Sequence, residues 1–116
     1  FVMEKYREEI KKFEKSKLFK ESYQKFIAIL KFSKQTFTSK ELEMMLSLRG
    51  VYIRKLAQHA RRAGDLVCSG DKGYYYAFTK KEADKTIDHL QDRANSLLFT
   101  INSIKQSNHY RKLKGK

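Results

Sequence analysis

Residues 38–78, TSKELEMMLSLRGVYIRKLAQHARRAGDLVCSGDKGYYYAF, carry the order of elements around which the chain is arranged. Thr38 and Glu41 have the spacing of a capping box, in which hydroxyl and carboxylate each take an orphan backbone N–H at a helix start. A helix is therefore expected from about Ser39, with Leu42, Met45 and Leu46 at i, i+3 and i+4 forming the face that packs on a core. Ser47-Leu48-Arg49-Gly50 reads as a tight turn in which Gly50 is free to take a positive φ. Ile53, Leu56, Ala57 and Ala60 then repeat on one side of a second helix, which Gly64 is placed to end as its C′ residue.

At about 100° per residue, burying that side leaves Val51, Lys55, Gln58 and Arg62 roughly opposite, flanked by Arg54 and His59. Small and branched residues inward with Lys, Gln and Arg outward is the composition of a helix that reads the major groove. In isolation such a helix is more often a solvated basic face; the turn before it and the hairpin after it favour DNA contact. Leu66-Val67-Cys68-Ser69 and Tyr74-Tyr75-Tyr76-Ala77-Phe78 are rich in β-formers, and Gly70-Asp71-Lys72-Gly73 between them is a turn by composition. Lys72 at the tip has the reach for a phosphate or a neighbouring minor groove. Alternation sends Tyr74 and Tyr76 to one face and Tyr75 to the other. Tyr76 and Phe78 are expected in the core, and Tyr74, nearest the tip, against the DNA backbone. Two short helices, a tight turn and a hairpin, in that order, make a winged helix-turn-helix.

The run Ile53-Arg54, Arg61-Arg62-Ala63-Gly64, Cys68-Ser69-Gly70-Asp71-Lys72-Gly73-Tyr74-Tyr75-Tyr76-Ala77, then Glu82 and Leu90-Gln91-Asp92-Arg93-Ala94, resembles small winged-helix DNA-binding proteins encoded by bacteriophages and prophages. The resemblance covers about residues 38–105 and is sharpest in the Ser-Gly-x-x-Gly-Tyr-Tyr-x-Ala wing. It implies the fold and DNA binding. Because that group serves several roles, it leaves the biological task open, and it does not extend to residues 1–20.

Composition narrows the partners. The chain has 116 residues, 41% hydrophobic and 13% aromatic, enough for a core without staples. Lys plus Arg number 26 against 13 Asp plus Glu, a formal charge of +13. Such an excess favours a polyanion, nucleic acid first and an acidic membrane surface second. No apolar run approaches the roughly 18 to 20 residues of a membrane span and no signal-peptide pattern is visible, so an intracellular location is expected; the resemblance to phage proteins implies the cytoplasm of a bacterial host. Cys68 is the single cysteine, expected to pack in its strand, and no Cys/His set has metal-ligand spacing. His59, His89 and His109 carry no motif, and the seven tyrosines lack the carboxylates or arginines that a strand-transfer nucleophile needs. No enzyme activity, cofactor or metal is expected.

Outside the central stretch, Val2, Tyr6, Ile10 and Phe13 recur at helical spacing among mixed charges, an amphipathic helix expected to dock on its own body or on a dimer mate. Ser16-Lys17 is a weak break. Tyr23, Phe26, Ile27, Leu30 and Phe32 then mark an apolar helix to about Gln35, and Thr36-Phe37 is a candidate third strand beside the wing. Thr79-Lys80-Lys81-Glu82 is a second capping box opening the longest helix. Along it Ala83, Ile87, Leu90, Ala94, Leu97, Ile101 and Ile104 follow at alternating spacings of four and three, a heptad seam that two helices can share. Leu98 and Phe99 widen it. The tail from Asn108 is basic and expected to be disordered.

The expected organisation is thus mainly α with a small hairpin: an amphipathic helix (1–17), a winged helix-turn-helix (18–79), a long dimerisation helix (80–107) and a basic tail (108–116). The expected function is dimeric, sequence-specific binding of double-stranded DNA by a phage or prophage transcriptional regulator. Val51, Arg54, Lys55 and Gln58 would read the major groove, Arg49, Arg61, Arg62, Lys72 and Tyr74 would contact the backbone, and Ile87, Leu90, Ala94, Leu97, Ile101 and Ile104 would join the dimer. A replication or origin-binding accessory, and a phage protein that inhibits a host nucleic-acid-bound complex, are the alternatives. RNA binding is weaker, since most aromatics are explained by core and hairpin rather than by a stacking sheet.

Overall fold

The computed structural model describes residues 2–115, with side chains from residue 4 onward. Helix α1 (Val2–Lys15) ends where the Ser16 hydroxyl turns to accept the Phe19 amide at 3.1 Å and caps α2 (Lys17–Ser33). There follow α3 (Ser39–Leu46), α4 (Gly50–Arg62), the antiparallel hairpin of β1 (Val67–Gly70) and β2 (Gly73–Tyr76), the long α5 (Lys80–Gln106) and a short α6 (Asn108–Lys112). The chain divides into two units, residues 1–83 and 84–116.

In the first unit the core is assembled from one stripe of each element. Phe26 and Leu30 of α2, Leu42 of α3, Ile53, Leu56, Ala57 and Ala60 of α4, and Val67 of β1 are all at most 2% exposed. Phe13 of α1 and Phe19 of α2 extend this core, their rings edge-on at 5.3 Å, and Phe13 also meets Tyr52 of α4 at 4.4 Å. The stripe of α1 therefore docks on its own body through Phe13, with Ile10 half-buried and Tyr6 exposed. Val2, the first member of that stripe, lies outside the described side chains. Aromatic pairs of this kind contribute about 0.5 to 1.5 kcal/mol beyond burial.

The local signals explain where the elements start and stop. Thr38 Oγ1 accepts the Glu41 amide at 3.1 Å while Glu41 Oε1 accepts the Thr38 amide at 2.9 Å, the reciprocal pair of a capping box. Helix α4 ends in a Schellman motif: the Asp65 amide donates to Ala60 O at 2.8 Å, the Gly64 amide to Arg61 O at 3.2 Å, and Gly64 takes φ 94°. Asp65 then accepts a hydrogen bond from the Tyr23 hydroxyl at 2.5 Å, fastening the end of α4 to α2. Burial first, and then this bond to the neighbouring carboxylate, push the Tyr23 phenol up to about 12 from its ordinary 10.

A third extended segment joins the hairpin. Phe37 exchanges both backbone hydrogen bonds with Tyr74, at 2.9 and 2.7 Å. The approach is so close that a Cβ on Gly73, itself at φ 124°, would collide with the Phe37 carbonyl.

Several expectations are corrected. Between α3 and α4 the positive φ falls on Ser47 (54°), the C-cap of α3, because that helix closes at Leu46; Gly50 is instead the first residue of α4, packed beside the Glu43 carboxylate. Met45 is 51% exposed, because the buried side of α3 is centred on Leu42, with Leu46 half-buried beside it. Phe32 and Phe78 are also exposed rather than core, and Lys34 stands 5.7 Å over the Phe78 ring. Helix α2 stops at Ser33 because Lys34 turns left-handed. Residues 108–112 form a short helix, not a disordered tail, because Ser107 Oγ accepts the Tyr110 amide at 3.1 Å and caps it.

Candidate nucleic-acid interface

The buried stripe of α4 fixes the direction in which its other side chains project, and the structure then divides those side chains among three neighbourhoods. One flank faces the hairpin. Arg61 Nε donates to Val67 O at 2.8 Å and its Nη2 to Ser69 Oγ at 3.1 Å, tying β1 to the helix. Arg61, expected on phosphate, is thus a half-buried brace that sets where the hairpin stands.

The other flank faces α1. Glu9 accepts from Arg49 Nη2 at 3.3 Å, Glu14 lies 3.9 Å from Lys55 Nζ, and Tyr52 packs under Phe13. Arg49 also donates to the Tyr52 hydroxyl at 3.1 Å and stacks over its ring, and these contacts hold the guanidinium more firmly protonated. His59 packs edge-on against Phe19 and Tyr23, each at 5.0 Å. Two of the residues expected to touch DNA, Arg49 and Lys55, therefore sit beside carboxylates of α1. The Arg49–Glu9 pair is exposed and the Lys55–Glu14 pair partly so, and both are therefore weak.

Between the flanks runs a strip formed by Val51, Arg54, Gln58 and Arg62, of which the last three are exposed and Val51 half-buried. Lys55 borders the strip and reaches Gln58 Oε1 at 3.4 Å. Its neighbours carry side chains of the two types that make bidentate contacts with base edges, guanidinium for guanine and carboxamide for adenine. Lys72 is exposed at the hairpin tip in the turn of Asp71 and Lys72. Tyr74 departs from expectation: it is half-buried, its ring edge-on to Phe26 at 6.4 Å, because the bridge to Phe37 draws this end of β2 onto the core.

Sequence reasoning missed the two carboxylates of this surface. Glu9 and Glu14 belong to a helix that ends 34 residues before α4 begins, counting from Ser16 to Arg49, and only the docking of Phe13 brings them there. A signal was present in the order Glu9, Phe13, Glu14, which places acids beside the one aromatic of α1 that becomes buried. Cys68 is buried in β1, as its strand position implied.

Helix α5 presents a different kind of surface. Thr79 Oγ1 accepts the Glu82 amide at 3.2 Å to start it, while Glu82 Oε1 accepts from the Phe78 amide at 3.2 Å. Every residue from Ile87 to Gln106 is exposed, including all the seam residues after Ala83. Among the described residues there is no group of three or more His, Cys, Asp or Glu that could hold a metal ion, and no helix is long and apolar enough to cross a membrane. No family model, curated protein or solved structure matches the chain.

Proposed function

We propose that residues 18–79 form a winged helix-turn-helix that binds double-stranded DNA, with α4 in the major groove, the hairpin as the wing, and two copies of the chain acting together as a phage or prophage transcriptional regulator. The observation that carries this reading is the strip of Val51, Arg54, Gln58 and Arg62, left open between the hairpin on one side and α1 on the other. Phe37 bridged to β2 gives the wing a third extended segment, and the Schellman turn at Gly64 with the Arg61 brace holds the wing beside the reading helix. The formal charge of +13 supplies the attraction to a polyanion. Arg54 and Gln58 read base edges, with Lys55 released from Glu14 to join them; Arg49, Arg62 and Lys72 hold phosphates.

Selection of bound duplexes from a random pool tests the reading. An enriched palindrome supports specific binding by a symmetric dimer, and a pool that stays random while single strands or RNA compete equally well would overturn it. An origin-binding role uses the same apparatus. A second reading, inhibition of a host nucleic-acid-bound complex, draws on Met44 and Phe32, which are 82% and 80% exposed and which DNA binding does not use. Capture of a host protein that persists after nuclease treatment, and that Met44→Asp abolishes, would favour it.

A further inference from the structure

The order of large and small side chains along α5 carries information about direction. In its heptad Ile87, Ala94 and Ile101 hold the a positions and Leu90, Leu97 and Ile104 the d positions. Two parallel copies in register would stack Ala94 on Ala94, leaving a gap at the centre of the seam, with Leu layers on both sides of it. They would also set the Arg93 guanidinium of one copy against Leu98 of the other, since g meets e across a parallel pair. Reversing one copy changes both outcomes. Each a residue then faces a d residue, and the layers become Ile87 on Ile104, Leu90 on Ile101, and Ala94 on Leu97, so the small side chain always meets a large one. The flanks of the reversed pair put Asp84 near Lys105, charges of opposite sign, and turn Leu98 toward Gln91.

We infer that α5 pairs with α5 of a second copy in antiparallel orientation, its two-fold axis lying between Ala94 and Leu97. This rests on the dimer proposed above and is independent of whether that dimer binds DNA. The occupant is a second copy because the face, exposed from Ile87 to Gln106, complements itself in both volume and charge only when reversed. A partner of another sequence would have no reason to match Ala94 with a leucine three residues on. Close-packed layers need such large-to-small alternation, and a two-residue void at a seam centre weakens association.

The direction is measurable in the full chain. A nitroxide label on Lys81→Cys, in a Cys68→Ala background whose circular dichroism matches the native protein, reports the separation of the two α5 starts by electron dipolar spectroscopy. At 1.5 Å per residue, the antiparallel pair places these positions about 44 Å apart; a parallel pair, with axes 8–10 Å apart, holds them within about 20 Å. A peak near 44 Å is expected. A peak within about 20 Å overturns the orientation and leaves the dimer standing, whereas a monomer by sedimentation with no dipolar signal overturns the dimer as well. Ala94→Leu on the native cysteine gives a second reading that does not depend on the label. It overfills an Ala–Leu layer twice in the antiparallel pair and is expected to raise the dimer dissociation constant about tenfold. In a parallel pair it would fill the gap and lower that constant, which would overturn the inference.

Discussion

Helices α4 and α5 both carry branched and small apolar residues at helical spacing, yet they meet opposite fates. On α4, Ile53, Leu56 and Ala60 are 0% exposed; on α5, Ile87, Leu90, Leu97, Ile101 and Ile104 are 41–59% exposed. Periodicity alone does not separate the two. What separates them is how much chain is available to cover the stripe: the 13 residues of α4 lie among α2, α3 and the hairpin, while α5 runs 27 residues and continues in sequence past residue 83, where the first unit ends. An apolar stripe tells that a helix will be covered, and its length relative to the rest of the domain tells whether its own chain can do so.

Substitutions can break this contrast at its strongest point. Leu56→Ala is expected to cost about 2–5 kcal/mol, as for a fully buried leucine, and to lower the thermal midpoint of the chain. Leu90→Asp is expected to leave the midpoint of the first unit unchanged while sedimentation shifts to a monomer. If Leu90→Asp unfolded the whole chain, α5 would belong to the core that α4 helps to form, and the contrast would fail.

Two smaller effects sharpen the account of what holds α4 in place. Gly73→Ala forces a side chain into φ 124° and against Phe37 O, and is expected to cost about 1–3 kcal/mol while loosening amide protection at Phe37 and Tyr74. Tyr23→Phe removes the bond to Asp65 and is expected to cost about 1–2 kcal/mol in chemical denaturation at pH 7. The sign of its pH dependence follows from the raised phenol. The Tyr23 contribution is fully present below pH 10 and disappears as pH rises from 10 through about 12, so native and Tyr23→Phe proteins should converge in that window. Equal differences at pH 8 and 12 would show that the bond to Asp65 is not what stabilises the end of α4.

Much of this was legible in sequence, for reasons that differ from residue to residue. The capping box at Thr38 and the glycine at 64 are local signals whose geometry depends on a few neighbours, and both appear as read. The stripe of α4 and the Phe37 segment beside the hairpin were legible because period and position agreed. The failures share a cause. Phe32, Phe78 and Met45 look like core by composition but stay at least half exposed, and Tyr74 looks like a tip residue until Phe37 draws it inward. For the candidate interface, Arg54, Gln58 and Arg62 were placed by helical phase alone, whereas the bracing by Arg61 and the carboxylates of Glu9 and Glu14 are tertiary facts. The smallest expected effect comes from those carboxylates: Glu9→Gln with Glu14→Gln should tighten duplex binding severalfold at low salt, because two negative charges leave the rim of the strip. Unchanged binding would place DNA away from the α1 side of α4.

The central claim is that the open strip of α4 and the wing bind duplex DNA through its phosphates and base edges. Its most direct measurement is the affinity of the native chain and of Arg54→Ala for a selected site and for random duplex, between 50 and 200 mM salt. With roughly six phosphates contacted per dimer, native affinity should fall about a thousandfold across that range. Arg54→Ala should lose about 1–3 kcal/mol on the selected site and little on random duplex. A flat salt dependence, or equal losses on both duplexes, would contradict the account.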